Sequence, residues 1–330
     1  MPPGFTQLKL FAMSRKRHST GRIGASDGRL PGMSREDVSV AETGNEGMWA
    51  FEPLLPPAMA AKAEAVGVAK AGTDSLSLLV LAVLAGAFIA LGASFFTTVT
   101  TATGIGYGPT RLLGGAAFSL GLILVVMAGA ELFTGNNLLV MAWAARRLST
   151  ARLLRVWGIV YAGNFAGAFA TAVLVYLSGQ WRFADHAVGA NAVRIADAKV
   201  NLDFGEAFFL GVLCNGLVCL AVWLTYSART NVDKAIAVVF PITAFVASGF
   251  EHSIANMYFI PLGIFLRDQT QVLSAANLDA TNLANLDWLH FLVTNLVPVT
   301  AGNVVGGGVL VGLIYWFVYR RGFQSARRPD

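Results

Sequence analysis

Ala128-Gly129-Ala130-Glu131-Leu132-Phe133-Thr134-Gly135-Asn136 and Ser248-Gly249-Phe250-Glu251-His252-Ser253-Ile254-Ala255-Asn256 each set a carboxylate beside small residues in the middle of a long apolar stretch. Lipid accommodates neither a broken helix nor an ion unless protein or a water-lined cavity surrounds it. Two such interruptions inside membrane-length segments predict a polytopic membrane protein whose helices break around an interior path.

Composition agrees. The chain is 55% hydrophobic and only 13% charged, with a mean hydropathy of +0.59. Soluble domains carry nearer a quarter charged residues. Six apolar stretches reach the roughly 20 residues that a bilayer crossing takes: 75–99, 112–145, 154–177, 204–226, 234–266 and 291–318. The second and fifth are too long for one straight span, and they contain the interruptions. Residues 1–50 are polar and aperiodic and read as a disordered cytoplasmic tail. Residues 51–73 read as a short N-terminal cytoplasmic helix introduced by Pro56-Pro57. A six-helix channel domain follows at 74–322, then a cytoplasmic tail at 323–330.

With both termini inside, nineteen of the 24 Lys and Arg fall on the inside and five outside. This is the positive-inside bias of a cytoplasmic membrane protein. The net charge of +5 is therefore a topology signal and does not point to nucleic acid. Cys214 and Cys219 lie at depth with no ligand-spaced partners and read as packing residues. No metal or cofactor is expected.

Gly163-Asn164-Phe165-Ala166-Gly167 and Gly302-Asn303-Val304-Val305-Gly306 share a G-N-x-x-G pattern, and each follows a broken span. Three spans per half is odd, so the halves must run in opposite directions. The expected fold is an all-α inverted three-plus-three repeat with spans 2 and 5 broken, which places a site at the midplane. The glycines suit close helix packing, and a buried Asn needs partners.

Glu131 and Glu251 are the deep carboxylates, and His252 is the deep histidine. A charge at the bilayer centre costs at least ~2.5–3.5 kcal/mol. Glu131 and Glu251 are expected to brace the loops by accepting backbone N–H groups freed at the breaks. Thr134 and Ser253 are expected to cap the second half-helices, whose positive ends favour a small anion. His252 is the one deep group able to exchange a proton near neutral pH. Leu132, Phe133 and Phe250 lie within the breaks and suit an apolar gate.

At these residues the chain closely resembles the formate/nitrite transporter family. The matches are A-E-L-F-T-G-N at 130–136, S-G-F-E-H-S-I-A-N-M at 248–257, both G-N-x-x-G patterns, Leu213 to Trp223, and Pro298 to Asn303. They occur in order across about residues 50–322. Within the family the chain looks most like the formate channels. The resemblance implies an aquaporin-like protomer in a homopentamer, one pore each, in a bacterial inner membrane. It also implies a cytoplasmic constriction at Leu122 and Leu132 and a periplasmic one at Phe133 and Phe245. The pore histidine is then His252, with Thr134 beside it. Lys199 matches an outer lysine that attracts the anion, and Asn215 and Asn303 match polar residues near the pore. The N-terminal helix matches one that gates the cytoplasmic mouth. The first 50 residues exceed the family's usual N-terminus.

Crossing two apolar rings as a bare anion carries a desolvation penalty of several kcal/mol. The expected mechanism is capture of formate near Lys199, hydrogen bonding or protonation at His252, and passage of the neutral acid. Nitrite, acetate and hydrosulfide are the competing small monoacid substrates. A water or polyol pore would show paired Asn-Pro-Ala motifs, and no Asn-Pro dipeptide occurs. A membrane enzyme would need a nucleophile or metal cluster, which the sequence does not display.

Overall fold

The computed structural model describes residues 52–322, so the predicted tails at 1–50 and 323–330 lie outside the described residues. Among the described residues all regular structure is helical. The first half comprises α1 (Pro56–Gly72), α2 (Ser75–Val99), α3 (Tyr107–Ala128), a short α4 (Val140–Ala144) entered through a 3-10 turn at Gly135–Leu139, and α5 (Thr150–Ser178). The second comprises α6 (Ala187–Val200), α7 (Phe204–Ser227), α8 (Asn231–Ala247), α9 (Ser253–Leu266), a surface helix α10 (Thr270–Ala276), and α11 (His290–Tyr319).

Five of these helices, α2, α3, α5, α7 and α11, are long and apolar enough to cross a membrane. At 1.5 Å per residue the 25 residues of α2 span about 37 Å, more than the ~30 Å hydrocarbon core. The α3–α4 and α8–α9 pairs are the two broken spans. Both breaks begin with a glycine in the left-handed region, Gly129 and Gly249, each at φ 77°. Only glycine adopts that conformation without a Cβ penalty.

The halves correspond at the level of side chains. α5 lies on α2 through Gly163 and Gly167, and α11 lies on α7 through Gly302 and Gly306. A Cβ on Gly167 would sit 1.9 Å from the Val83 carbonyl oxygen, and one on Gly306 would sit 2.1 Å from that of Val212. These approaches leave no room for a methyl group. Gly167→Ala is expected to destabilise the protein by about 1–3 kcal/mol, read as a lower melting temperature of the purified oligomer. Unchanged melting would show that the helices can separate freely.

Helix α1 corresponds to α6, which lies between the apolar stretches 154–177 and 204–226, where no element was expected from sequence. Its moderate polarity concealed a helix that packs against α9 and whose Val188, Ala192, Val193, Ala196 and Val200 are buried. In both short helices a Lys near the C-terminal end lies five residues before the next span. The links are Lys70-Ala-Gly-Thr-Asp74 and Lys199-Val-Asn-Leu-Asp203. Asp74 caps α2, accepting from the backbone N–H groups of Leu76 and Ser77, and these donors hold its carboxyl below the usual carboxylate range. Helix α1 is fixed by more than packing. Met59, Ala60 and Ala63 bury against Met141 and Trp223. Its buried Glu64 accepts two bonds from Arg320, at 2.9 and 3.1 Å.

Candidate permeation site

Each break is held by the same bracket. In the first, the Asn164 amide donates to the carbonyls of Ala82 (2.7 Å) and Glu131 (2.9 Å) and accepts from the Phe133 N–H (2.9 Å). In the second, Asn303 donates to Gly211 (2.8 Å) and Glu251 (3.0 Å) and accepts from the Ser253 N–H (3.0 Å). The backbone N–H of Glu131 donates to Leu81 (3.2 Å), and that of Glu251 to Leu210 (3.3 Å). Backbone groups that lose helical partners are thus satisfied by the Asn of G-N-x-x-G and by the neighbouring span.

The carboxylates are neutralised from outside the breaks. Lys70 of α1 donates to Glu131 at 2.9 Å and to Asn136 Oδ1 at 2.9 Å. Lys199 of α6 donates to Glu251 at 2.6 Å. Asn136 and Asn256, each five residues beyond its Glu, donate to the same carboxylates at 2.8 and 2.7 Å. Glu131 and Glu251 therefore accept from side-chain ammonium and amide groups. The backbone N–H donors expected for them go instead to carbonyls of the neighbouring span and to the side chains of Asn164 and Asn303.

The breaks meet at one side-chain contact: His252 Nε2 lies 3.0 Å from Thr134 Oγ1. His252 Nδ1 accepts the backbone N–H of Ala255 at 3.1 Å and so caps α9. That backbone group can only donate. Nδ1 must therefore carry a lone pair, and the ring's one proton sits on Nε2, directed at Thr134. Thr134 accepts it, leaving its own hydroxyl proton available. The cap assignments expected from sequence are corrected here. His252 takes the place foreseen for Ser253, whose buried hydroxyl finds no partner, and Thr134 makes no capping bond. The Phe245 ring stacks on His252 with centroids 5.9 Å apart.

Two cavities adjoin the breaks, and one of them reaches His252. One, about 390 Å³, is lined by Lys199, Glu251, His252, Phe118 and Phe245. The other, about 280 Å³, is lined by Lys70, Glu131, Leu122 and Leu132. Each is bordered by three cations and one carboxylate: Arg111, Arg194, Lys199 and Glu251 in the first, and Lys62, Lys70, Lys234 and Glu131 in the second. Thr134, Phe133, Asn215 and Asn303, all named from sequence, fall outside both linings. Phe133 turns away, its ring edge-on to Trp157 and Tyr161 at 5.9 and 4.9 Å. Asn303 is wholly engaged in its bracket. Asn215 bridges Asn137 Oδ1 (3.0 Å) and the Asn303 carbonyl (2.7 Å), with a longer contact to the Thr134 carbonyl (3.3 Å). Lys70, Asn136, Asn256 and Arg111 were not singled out from sequence. The repeated Lys-x3-Asp link and the repeated Glu-x4-Asn spacing were the available signals for the first three.

Two mirrored broken spans that bring a neutral donor pair between positively bordered vestibules define a membrane channel for small solutes. More narrowly, the chain belongs to the formate/nitrite transporter family, whose profile matches residues 57–317. The formate channel FocA of Escherichia coli K12 is 47% identical over 274 residues, covering 82% of this chain and 96% of that protein. FocA of Haemophilus influenzae is 44% identical over 232 residues, covering 69% and 82%. A solved structure described as a pentameric formate channel with formate bound aligns with a TM-score of 0.70 and 42% identity, over 74% of this chain and 97% of that one. The protein is thus a multi-pass membrane transport protein, not an enzyme.

Proposed function

We propose that this protein conducts formate through a pore within each protomer of a homopentamer in a bacterial inner membrane, with α1 on the cytoplasmic side. The observation that carries the reading is the His252–Thr134 pair, a neutral donor set buried among apolar residues, with His252 lining one of two vestibules bordered by excess positive charge. The family and the formate channels among its relatives support the substrate and the assembly. Exposed Phe204, Phe209 and Phe240 suit lipid or a neighbouring subunit.

The vestibule cations concentrate the anion. The apolar side chains Leu122, Leu132 and Phe245 then oppose a bare charge by several kcal/mol. Protonating a simple carboxylate near pH 7, roughly three units above its pKa, costs about 4 kcal/mol. The two terms are comparable, so the neutral acid is a competitive permeant. His252 supplies a hydrogen bond from Nε2 to the acid's oxygen as it leaves water, and Thr134 supplies a second donor or an acceptor. In this geometry the ring is a donor, and the acid's proton comes from water in the vestibule.

The test is uptake of labelled formate into proteoliposomes. Flux at fixed total formate is expected to rise about tenfold for each unit of lowered pH, following the neutral fraction. His252→Phe is expected to cut flux about tenfold or more, the loss of one buried hydrogen bond to the permeant. A pH-independent flux would overturn passage as the acid, and wild-type flux in His252→Phe would overturn the histidine's role. Competition by nitrite, acetate and hydrosulfide ranks the substrates, and stronger competition by nitrite than by formate itself would displace formate as the preferred one.

A further inference from the structure

Three cations border the vestibule that holds His252, but they are not equivalent. Lys199 is paired with Glu251 at 2.6 Å. Arg194 donates to the Ala276 carbonyl at 2.7 Å, at the end of surface helix α10. Arg111, near the start of α3, has like Arg194 no carboxylate ion pair among the described residues, but it is the one that binds the end of α8. Its Nε donates to the Ala247 carbonyl at 3.1 Å, another guanidinium nitrogen donates to the Val246 carbonyl, and its plane lies over Phe96 with the centroid 5.6 Å away.

Those two carbonyls end α8, the first half of the second broken span. They are the negative pole of a half-helix terminating beside the path. An anion in this vestibule meets that pole as well as the positive start of α9, so a broken helix by itself repels and attracts in the same place. Arg111 covers the repelling end. One of its acceptors, Val246, follows Phe245, whose ring stacks on His252. At the other mouth, Lys234 near the start of α8 borders the Lys70 vestibule, as Arg111 near the start of α3 borders this one.

We propose that Arg111 is a specificity-determining residue for anion entry: its guanidinium offsets the partial negative end of α8 and leaves this vestibule with a net, permanent positive charge. The proposal rests on the anion-conduction reading above. It assigns to Lys199 mainly the neutralising of Glu251, and to Arg111 the long-range attraction.

The experiment compares wild type, Arg111→Gln and Arg111→Lys in proteoliposomes, each first shown to keep the wild-type oligomer by size exclusion. Gln retains an amide donor for the α8 carbonyls but no charge, and Lys retains the charge. Arg111→Gln is expected to raise the half-saturating formate concentration about five- to tenfold while maximal flux stays within about twofold, and to flatten the fall of uptake with added salt. Arg111→Lys is expected to keep wild-type values. If Arg111→Gln does not assemble, Arg111→Cys treated with a cationic or a neutral thiol reagent makes the same comparison, since Cys214 and Cys219 are buried. Unchanged half-saturation and salt dependence in the uncharged variants, or equal loss of maximal flux in the Gln and Lys variants, would overturn the proposal and leave Arg111 a mere clamp. Failure of the wild type to transport formate would instead overturn the function on which it rests.

Discussion

Replacing Asn303 by Leu, which has the same branched heavy-atom skeleton and no polar atoms, is expected to be among the most damaging single changes in this chain. Three bonds would be lost together, from the carbonyls of Gly211 and Glu251 and from the Ser253 N–H. The Glu251 carbonyl and the Ser253 N–H would then be unsatisfied at membrane depth, at about 1–3 kcal/mol each, and the Gly211 carbonyl would lose a second bond beyond its helical one. The summed effect, about 3–6 kcal/mol after partial relaxation, corresponds to a melting temperature lower by about 6 °C or more for a domain of this size. Asn164→Leu is expected to do the same at the first break. Because the brackets are separate, the two losses are expected to add. The check is thermal unfolding of the detergent-solubilised oligomer, and a shift below about 2 °C for both variants would show that the breaks hold without their asparagines.

Lys199→Met is the second large effect. It leaves Glu251 buried with only amide donors, Asn256 at 2.7 Å and Asn295 at 3.4 Å. Removing one partner of a buried pair costs about 3–5 kcal/mol, most of it from the stranded charge. Lys199→Met with Glu251→Gln removes that charge as well and is expected to recover most of the stability. The coupling between the two positions, read from a double-mutant cycle, should be at least about 2 kcal/mol. Additive losses would mean that the 2.6 Å contact contributes little. Lys70 and Glu131 form a weaker case, since Lys70 keeps Asn136 as a second partner and its side chain is more exposed, at 29% against 15% for Lys199.

Much of this architecture was legible from single residues. Glu131 and Glu251 located both breaks, because an ion at depth demands special surroundings. The paired G-N-x-x-G runs disclosed the inverted repeat, because glycine at helix spacing has a geometric use. The site was read less completely. Phe133 was expected at a constriction, but adjacent residues of an irregular loop point in opposite directions, and Leu132 is the one that faces the cavity. Sequence alone does not fix that phase. Helix α6 was hidden by a composition mild enough for a loop, and without it Lys199 had no visible route to Glu251. Thr134 and Ser253 have the right chemistry for capping. The cap fell to His252 because the break ends one residue earlier than the hydroxyl requires.

That cap links two properties usually treated separately. The lone pair that receives the Ala255 N–H is the one an added proton would occupy. The first turn of α9 and the ionisation of the ring therefore draw on a single site. A second proton on the imidazole would have to displace the peptide hydrogen, so charging the ring and loosening the backbone at residue 255 become one event. The amide of Ala255 is thus a built-in reporter, in the main chain, of the charge carried by His252.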